Sequence, residues 1–198
     1  MNQLQQKLEK NGFSVYFANN KEKALNIAKT FLKDISSVGF GGSTSVVQIG
    51  LQDYILGQKK LKVYNQYESG ISMEENLSRR RHGLLSDLYV TGCNAITQNG
   101  ELVNADGSGN RVAAQIFGPK KVLLIVGKNK IVPTLKDGFD RIMQIAAVKN
   151  IERMNLKAKS MGKEPKYNLD NIANKFAYIN GDVKGRTHII IVDEKLGF

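Results

Sequence analysis

The chain has 198 residues, 41% of them hydrophobic and 24% charged, enough for one domain with its own core and no disulfide staples. A single cysteine, Cys93, excludes an internal disulfide framework, and with only two histidines no metal site is expected. The net charge of +11 raises the question of an anionic partner, but the lysines are scattered and tryptophan is absent. The one tight basic cluster, Arg79 to His82, has no interleaved aromatic residues, which argues against a nucleic-acid surface.

No apolar run approaches a membrane span. The opening MNQLQQKLEKNGF lacks an apolar core behind a basic start, so the expected location is the cytoplasm. NQLQQKLEKNG reads as a short helix ended by Gly12. FSVYFA is strand-like, with Phe13, Val15 and Phe17 on one side. NKEKALNIAKTFLKDI places Ala24, Ile27, Ala28, Phe31 and Leu32 on one helical face. SSVGF is a short strand running into a glycine–hydroxyl loop, and TSVVQIGLQDYIL is expected as one helix closing near Gly57. KKLKVYNQ is a strand. SMEENLSRRRHG is a helix with acids early and arginines late, the order that complements its dipole.

LLSDLYVTGCNAITQNGELVNADGSG predicts a strand, then a small β-hairpin around residues 94–105 that turns at Asn99-Gly100. NRVAAQIFG is a short helix, and KKVLLIVG is the continuous apolar run of a strand covered on both faces. In IVPTLKDGFDRIMQIAAVKNIERMN, Pro133 marks the entry to a helix and Thr134 with Asp137 has capping-box spacing. Phe139, Ile142, Met143, Ala146 and Ile151 mark its buried stripe. Residues 155–187 are rich in lysine and asparagine, weakly periodic, and read as a partly ordered excursion. THIIIVDEKLGF supplies a last buried strand. The alternation implies a single α/β domain over 1–198, a layered Rossmann-like fold with a mainly parallel sheet. Ligands in such folds sit beyond the carboxyl ends of the strands.

Two polar clusters fall at such ends. In GFGGSTSVV, Gly41 and Gly42 let the backbone approach a ligand, and Ser43, Thr44 and Ser45 offer hydroxyls. The loop is not a Walker loop, which needs a lysine, nor a dinucleotide fingerprint, since Thr44 stands where the third glycine belongs. A plain strand-to-helix turn explains it equally well, because Ser45 with Gln48 also has capping-box spacing. The second cluster is Gly92, Cys93 and Asn94, with Asn104, Asp106, Ser108, Asn110 and Arg111. Ser108 or Asn110 also suits a helix cap, and Arg111 a surface ion pair. Cys93 reads as a buried inert thiol, His188 as structural, and Lys128 as either an anion contact or a solvated lysine. The ligand site is expected between the two clusters, on Gly41, Gly42, Ser43, Thr44, Ser45, Gly92, Asn94, Asn104, Asn110 and Arg111.

GFGGSTSV, TGCNAITQNGELVN, GSGNRVAAQIFGPKKVLLIVGKNKIV, IERMNL and the closing VDEKLGF together resemble the LUD-domain family, the lactate utilisation proteins that include lactate utilisation protein C. The resemblance covers about residues 10–155 and 186–198. It implies the fold of the superfamily of ribose-5-phosphate isomerase, glucosamine-6-phosphate deaminase and the CoA transferases. There a glycine–serine–threonine loop binds phosphate or CoA groups, a role that falls here on Gly41, Gly42, Ser43, Thr44 and Ser45. The ligand implied is a small anionic metabolite or a phosphorylated cofactor of unknown identity, in lactate or organic-acid metabolism, with iron–sulfur and flavoprotein partner subunits.

Three departures qualify this. Gly92-Cys93-Asn94 stands where the sugar isomerases carry a Gly-Ala-Asp-like motif, and asparagine cannot take a proton as their carboxylate does. Glu101, in the region of the CoA-transferase nucleophile, and Asp106 are the only nearby carboxylates left as catalytic candidates. The stretch after IERMNL has no cysteine, although many short relatives carry a cysteine-rich segment there. The alternatives are an independent CoA-transferase- or isomerase-type enzyme, and a non-catalytic interaction subunit or basic nucleic-acid binder.

Overall fold

The computed structural model describes residues 2–198. The chain begins with α1 (Asn2–Lys10), β1 (Ser14–Ala18), α2 (Lys21–Thr30) and β2 (Ser37–Phe40). It continues through α3 (Thr44–Gln48), α4 (Leu51–Leu56), β3 (Lys62–Tyr64), α5 (Met73–Gly83) and β4 (Leu88–Gly92). The hairpin strands β5 (Ala95–Thr97) and β6 (Leu102–Asp106) follow, then α6 (Asn110–Ile116) and β7 (Lys121–Gly127). A 3₁₀ turn (Lys128–Lys130) leads to β8 (Ile131–Val132). Then α7 (Leu135–Arg141), a π-helical turn (Ile142–Ala146) and α8 (Ala147–Ser160) form one long rod. The last elements are α9 (Leu169–Ile172), β9 (Lys175–Ile179) and β10 (Thr187–Val192).

Six strands form a parallel sheet in the order β1-β10-β7-β4-β2-β3. Its two faces are written in the strand sequences. Along β7, Val122, Leu124 and Val126 face one side with Leu4, Leu8, Phe13, Ile96 and Leu102. Leu123 and Ile125 face the other with Ala24, Ala28, Val46, Leu51 and Ile55 of α2, α3 and α4. Each such leucine or isoleucine, fully buried, contributes about 1.5–3 kcal/mol of burial free energy. The chain steps outward from β2 to β3, then reverses through β4, β7 and β10. The crevice between the ends of β2 and β4 is therefore the topological switch point, where loops diverge and leave room for a ligand.

The predicted hairpin is present, and it belongs to a second sheet of order β8-β5-β6-β9. Ala95, Val103, Val132, Ile142, Ala147 and Ile172 form a third core between this sheet and the α7–α8 rod. The Thr134–Asp137 capping box is formed as predicted. Of the predicted stripe, Ile142 and Ala146 are buried, whereas Phe139 lies at the edge against Phe176.

Three expectations are corrected. The helix expected over 44–56 is broken at Gly50, whose φ of +74° no side-chain residue adopts easily. Ser43, not Ser45, caps α3: its Oγ accepts from Val46 N, while Ser45 lies inside the helix and is fully buried. Residues 155–187 carry more structure than a partly ordered excursion. They complete α8, form α9, and supply β9, which pairs with β6 from Lys175 to Ile179.

Candidate functional site

A cleft of about 840 Å³ opens at the switch point. Gly42, Ser43 and Thr44 after β2, and Gly92, Cys93 and Asn94 after β4, line it together with Asp106, Asn110 and Arg111. Two glycines let these loops meet. A Cβ on Gly92 would lie 2.6 Å from Ser43 Oγ, and one on Gly41 would lie 2.5 Å from Thr91 Oγ1 and 2.9 Å from Arg111 Cγ. Gly41 thus serves the close approach from behind the cleft wall and does not line it.

Arg111 lies at the N-terminal end of α6 and is 8% exposed. All five of its side-chain N–H groups have acceptors. Nε donates to Asp106 Oδ1 at 2.9 Å, and Nη1 donates to the Gly92 carbonyl and to Asn104 Oδ1. Nη2 donates to Asn94 Oδ1 at 2.8 Å and to the Ala105 carbonyl. Asn94 and Asn104 complete the knot reciprocally: Asn104 Oδ1 accepts from Asn94 N, and Asn94 Oδ1 accepts from Ala105 N. Asp106 Oδ2 also accepts the amides of Arg111 and Val112. Arg111 therefore positions the wall and has no free donor for a ligand, and Asp106 is fully engaged. Asn104 is buried behind the wall, with its Nδ2 unpartnered. Asn110 lines the cleft and donates to Tyr89 Oη at 3.3 Å. Glu101 lies away from the cleft on the hairpin, where it accepts from Thr97 and Tyr178.

The sequence reading missed the cations that remain available. Lys130 closes the 3₁₀ turn after β7 and lines the cleft, yet is only 4% exposed. Its Nζ donates to Ser45 Oγ at 3.0 Å, and among the described residues it has no carboxylate partner. Ser45 therefore faces Lys130 beneath the cleft. Burial is the main cause that lowers the Lys130 ammonium to about 7; Cys93 opposes it, while Arg141 and Arg111 add to it. Lys128, the lysine singled out from the sequence, instead pairs with Asp193 in solvent at 3.0 Å. Arg80, Arg153 and Lys166 line the outer part of the cleft, and none has a carboxylate partner among the described residues.

Cys93 lines the floor with its thiol donating to the Ala95 carbonyl at 3.0 Å, and burial pushes its pKa up. That environment holds it as a thiol, not as a nucleophilic thiolate. His188 packs at a tilt against Phe31, with ring centroids 4.8 Å apart, at the N-terminal end of β10 and so away from the carboxyl ends of the strands. Among the described residues no group of three or more His, Cys, Asp or Glu side chains is placed to hold a metal ion. No described helix is long and apolar enough to cross a membrane.

The arrangement is a cleft walled by an arginine–asparagine knot, floored by a buried amine and rimmed by guanidinium groups that pair with no carboxylate among the described residues. The crystal structure of a DUF162 family protein from Deinococcus radiodurans is similar, with a TM-score of 0.55 and 15% identity over 96% of this chain and 94% of that one. At that identity the likeness shows the fold. No curated protein matches the chain. The family model described as the LUD domain matches residues 1–192, and the chain belongs to the LUD-domain family.

Proposed function

We propose that this LUD-domain protein binds an organic anion in the cleft between the 42–44 loop and the Gly92–Arg111 wall, and acts in lactate or related organic-acid metabolism. One observation carries the reading. Five cationic side chains, Arg80, Arg111, Lys130, Arg153 and Lys166, line the cleft against one side-chain carboxylate, Asp106, which Arg111 already neutralises. Low-dielectric walls focus that excess charge and draw in anions. A carboxylate-driven transferase or isomerase reaction finds no support, because Glu101 lies outside the cleft and Asp106 has both oxygens occupied. The single cysteine offers no thiolate set for an iron–sulfur cluster. In this reading, iron–sulfur electron transfer belongs to partner subunits.

Thermal unfolding in the presence of lactate, pyruvate, sugar phosphates and CoA tests the reading. At least one anion is expected to raise the midpoint, with the gain shrinking as salt is added. Gly42→Asp, which puts a carboxylate on the exposed lip of the cleft, is expected to abolish that gain. Absence of any shift across the set in the unmodified protein would remove the proposal.

A further inference from the structure

Apart from Lys166, the cleft's cations form two groups with different neighbours. At the floor, the charged and titratable side chains around the Lys130 amine are Cys93, Arg141 and Arg111. Arg111 is paired with Asp106, and Arg141 donates to the carbonyls of Asn129 and Asn94. No side-chain carboxylate among these neighbours balances Lys130, and the closing segment, Gly197 and Phe198, packs beside the amine. At the mouth, Arg80 and Arg153 line the cleft together with Tyr67, whose hydroxyl accepts from Gln66 Nε2. Arg80 Nη1 donates to Ser108 Oγ at 2.8 Å, but its buried Nε has no partner. Arg153 donates only to Asn150 of its own helix. A Cβ on Gly42 would lie 3.1 Å from the Tyr67 hydroxyl, so the 42–44 backbone borders the same corner.

A buried ammonium without a counter-ion is costly, and an orphaned guanidinium N–H is half of a bidentate oxyanion contact. One compact anion completes one of these groups and leaves the other open. The cleft's 840 Å³ also matches a drug-sized ligand, far more than a three-carbon acid fills. We propose that the cleft holds two anion subsites, one for a carboxylate on Lys130 at the floor and one for a phosphate on Arg80, Arg153 and Tyr67 at the mouth, and that its ligand carries both groups. The ligand class is thus a phosphorylated organic acid, or an organic acid on a phosphorylated carrier. The inference rests on the anion-binding reading and deepens it.

Calorimetric titration with pyruvate and with sulfate, a phosphate mimic of constant charge between pH 6 and 9, separates the subsites. Both probes are expected to bind at once, pyruvate affinity being unchanged at saturating sulfate. The double variant Arg80→Ala, Arg153→Ala should weaken sulfate about tenfold or more and spare pyruvate, and Lys130→Met should do the reverse. A third arm needs no variant. With the Lys130 ammonium at about 7, pyruvate affinity should fall up to about tenfold per pH unit above that value. Sulfate affinity should stay flat, since arginine does not titrate there. Competition between the probes, equal weakening of both by each variant, or identical pH profiles would overturn the two-subsite arrangement while leaving an anion site standing. Failure of both probes to bind the unmodified protein would overturn the arrangement and count against the anion reading beneath it.

Discussion

Arg111 and Lys130 are both buried cations on one cleft, and the chain surrounds them in opposite ways. Arg111 has a carboxylate and four further oxygen acceptors, one for every N–H it owns. Lys130 has one serine hydroxyl and cationic neighbours. The first pattern closes on itself and holds three segments together, the end of β4, β6 and the start of α6. The second is open and gains most from something the protein does not contain. Satisfied and unsatisfied polar groups at similar depth thus separate scaffold from function.

The largest effect should come from breaking the closed pattern. Arg111→Leu removes the charge that balances Asp106 and five donated hydrogen bonds, leaving Asp106 Oδ1 and the Ala105 carbonyl without the guanidinium they bond, and should cost about 3–5 kcal/mol in urea unfolding. A loss under about 1 kcal/mol would mean the knot is not what holds the wall. A smaller effect is expected at the seam between the two loops. Gly92→Ala drives a methyl into Ser43 Oγ and toward the Ile125 carbonyl, and should cost about 1–3 kcal/mol. Anion affinity measured on the same variant should fall too, because Ser43 and its loop are pushed away from the wall.

The smallest effect on stability, and the sharpest contrast, should come from the open pattern. Lys130→Met removes an unbalanced buried amine, so near pH 7 it should not destabilise the fold and should shift stability, if at all, in the stabilising direction. The sign of its pH dependence follows from the lowered pKa. Between about 7 and the usual 10.5 the unfolded chain binds one more proton at this residue than the folded chain does. The contribution of Lys130 to stability therefore rises with pH through that window and is least favourable below it. Subtracting the Lys130→Met unfolding curve from that of the unmodified protein should show the rise. A flat difference would mean that the amine keeps its ordinary proton and that the contrast with Arg111 fails.

The sequence exposed what repeats or what chemistry makes distinctive. The β7 run is apolar at every position because both faces are covered, and the Thr134–Asp137 box announces its helix locally. The meeting of the 42–44 loop with Gly92 and Asn94 followed from strand ends alone. Strand β9 escaped because, apart from Ala177, its side chains are exposed or only partly buried, and backbone pairing with β6 carries it. Lys130 escaped because nothing local distinguishes it among 29 lysines and arginines. The 3₁₀ turn sends Lys128 to solvent and Lys130 inward, a difference of depth that residue type does not encode. Arg111 looked like a ligand contact because its neighbours are polar, and only the geometry reveals that those neighbours already use all of its donors.

The π-helical turn at Ile142–Ala146 has a consequence for the mouth of the cleft. An extra residue in a helical rod advances everything downstream by about 100° around the axis. Asn150, Arg153 and Met154 therefore face the ligand space only because the rod is wound loosely one stretch earlier. Deleting one residue there would tidy the hydrogen-bond ladder and swing Arg153 a quarter-turn aside. The irregularity works as an indexing device: its own Ile142 and Ala146 line the cleft, and its winding sets the angle at which the guanidinium two turns on meets that space.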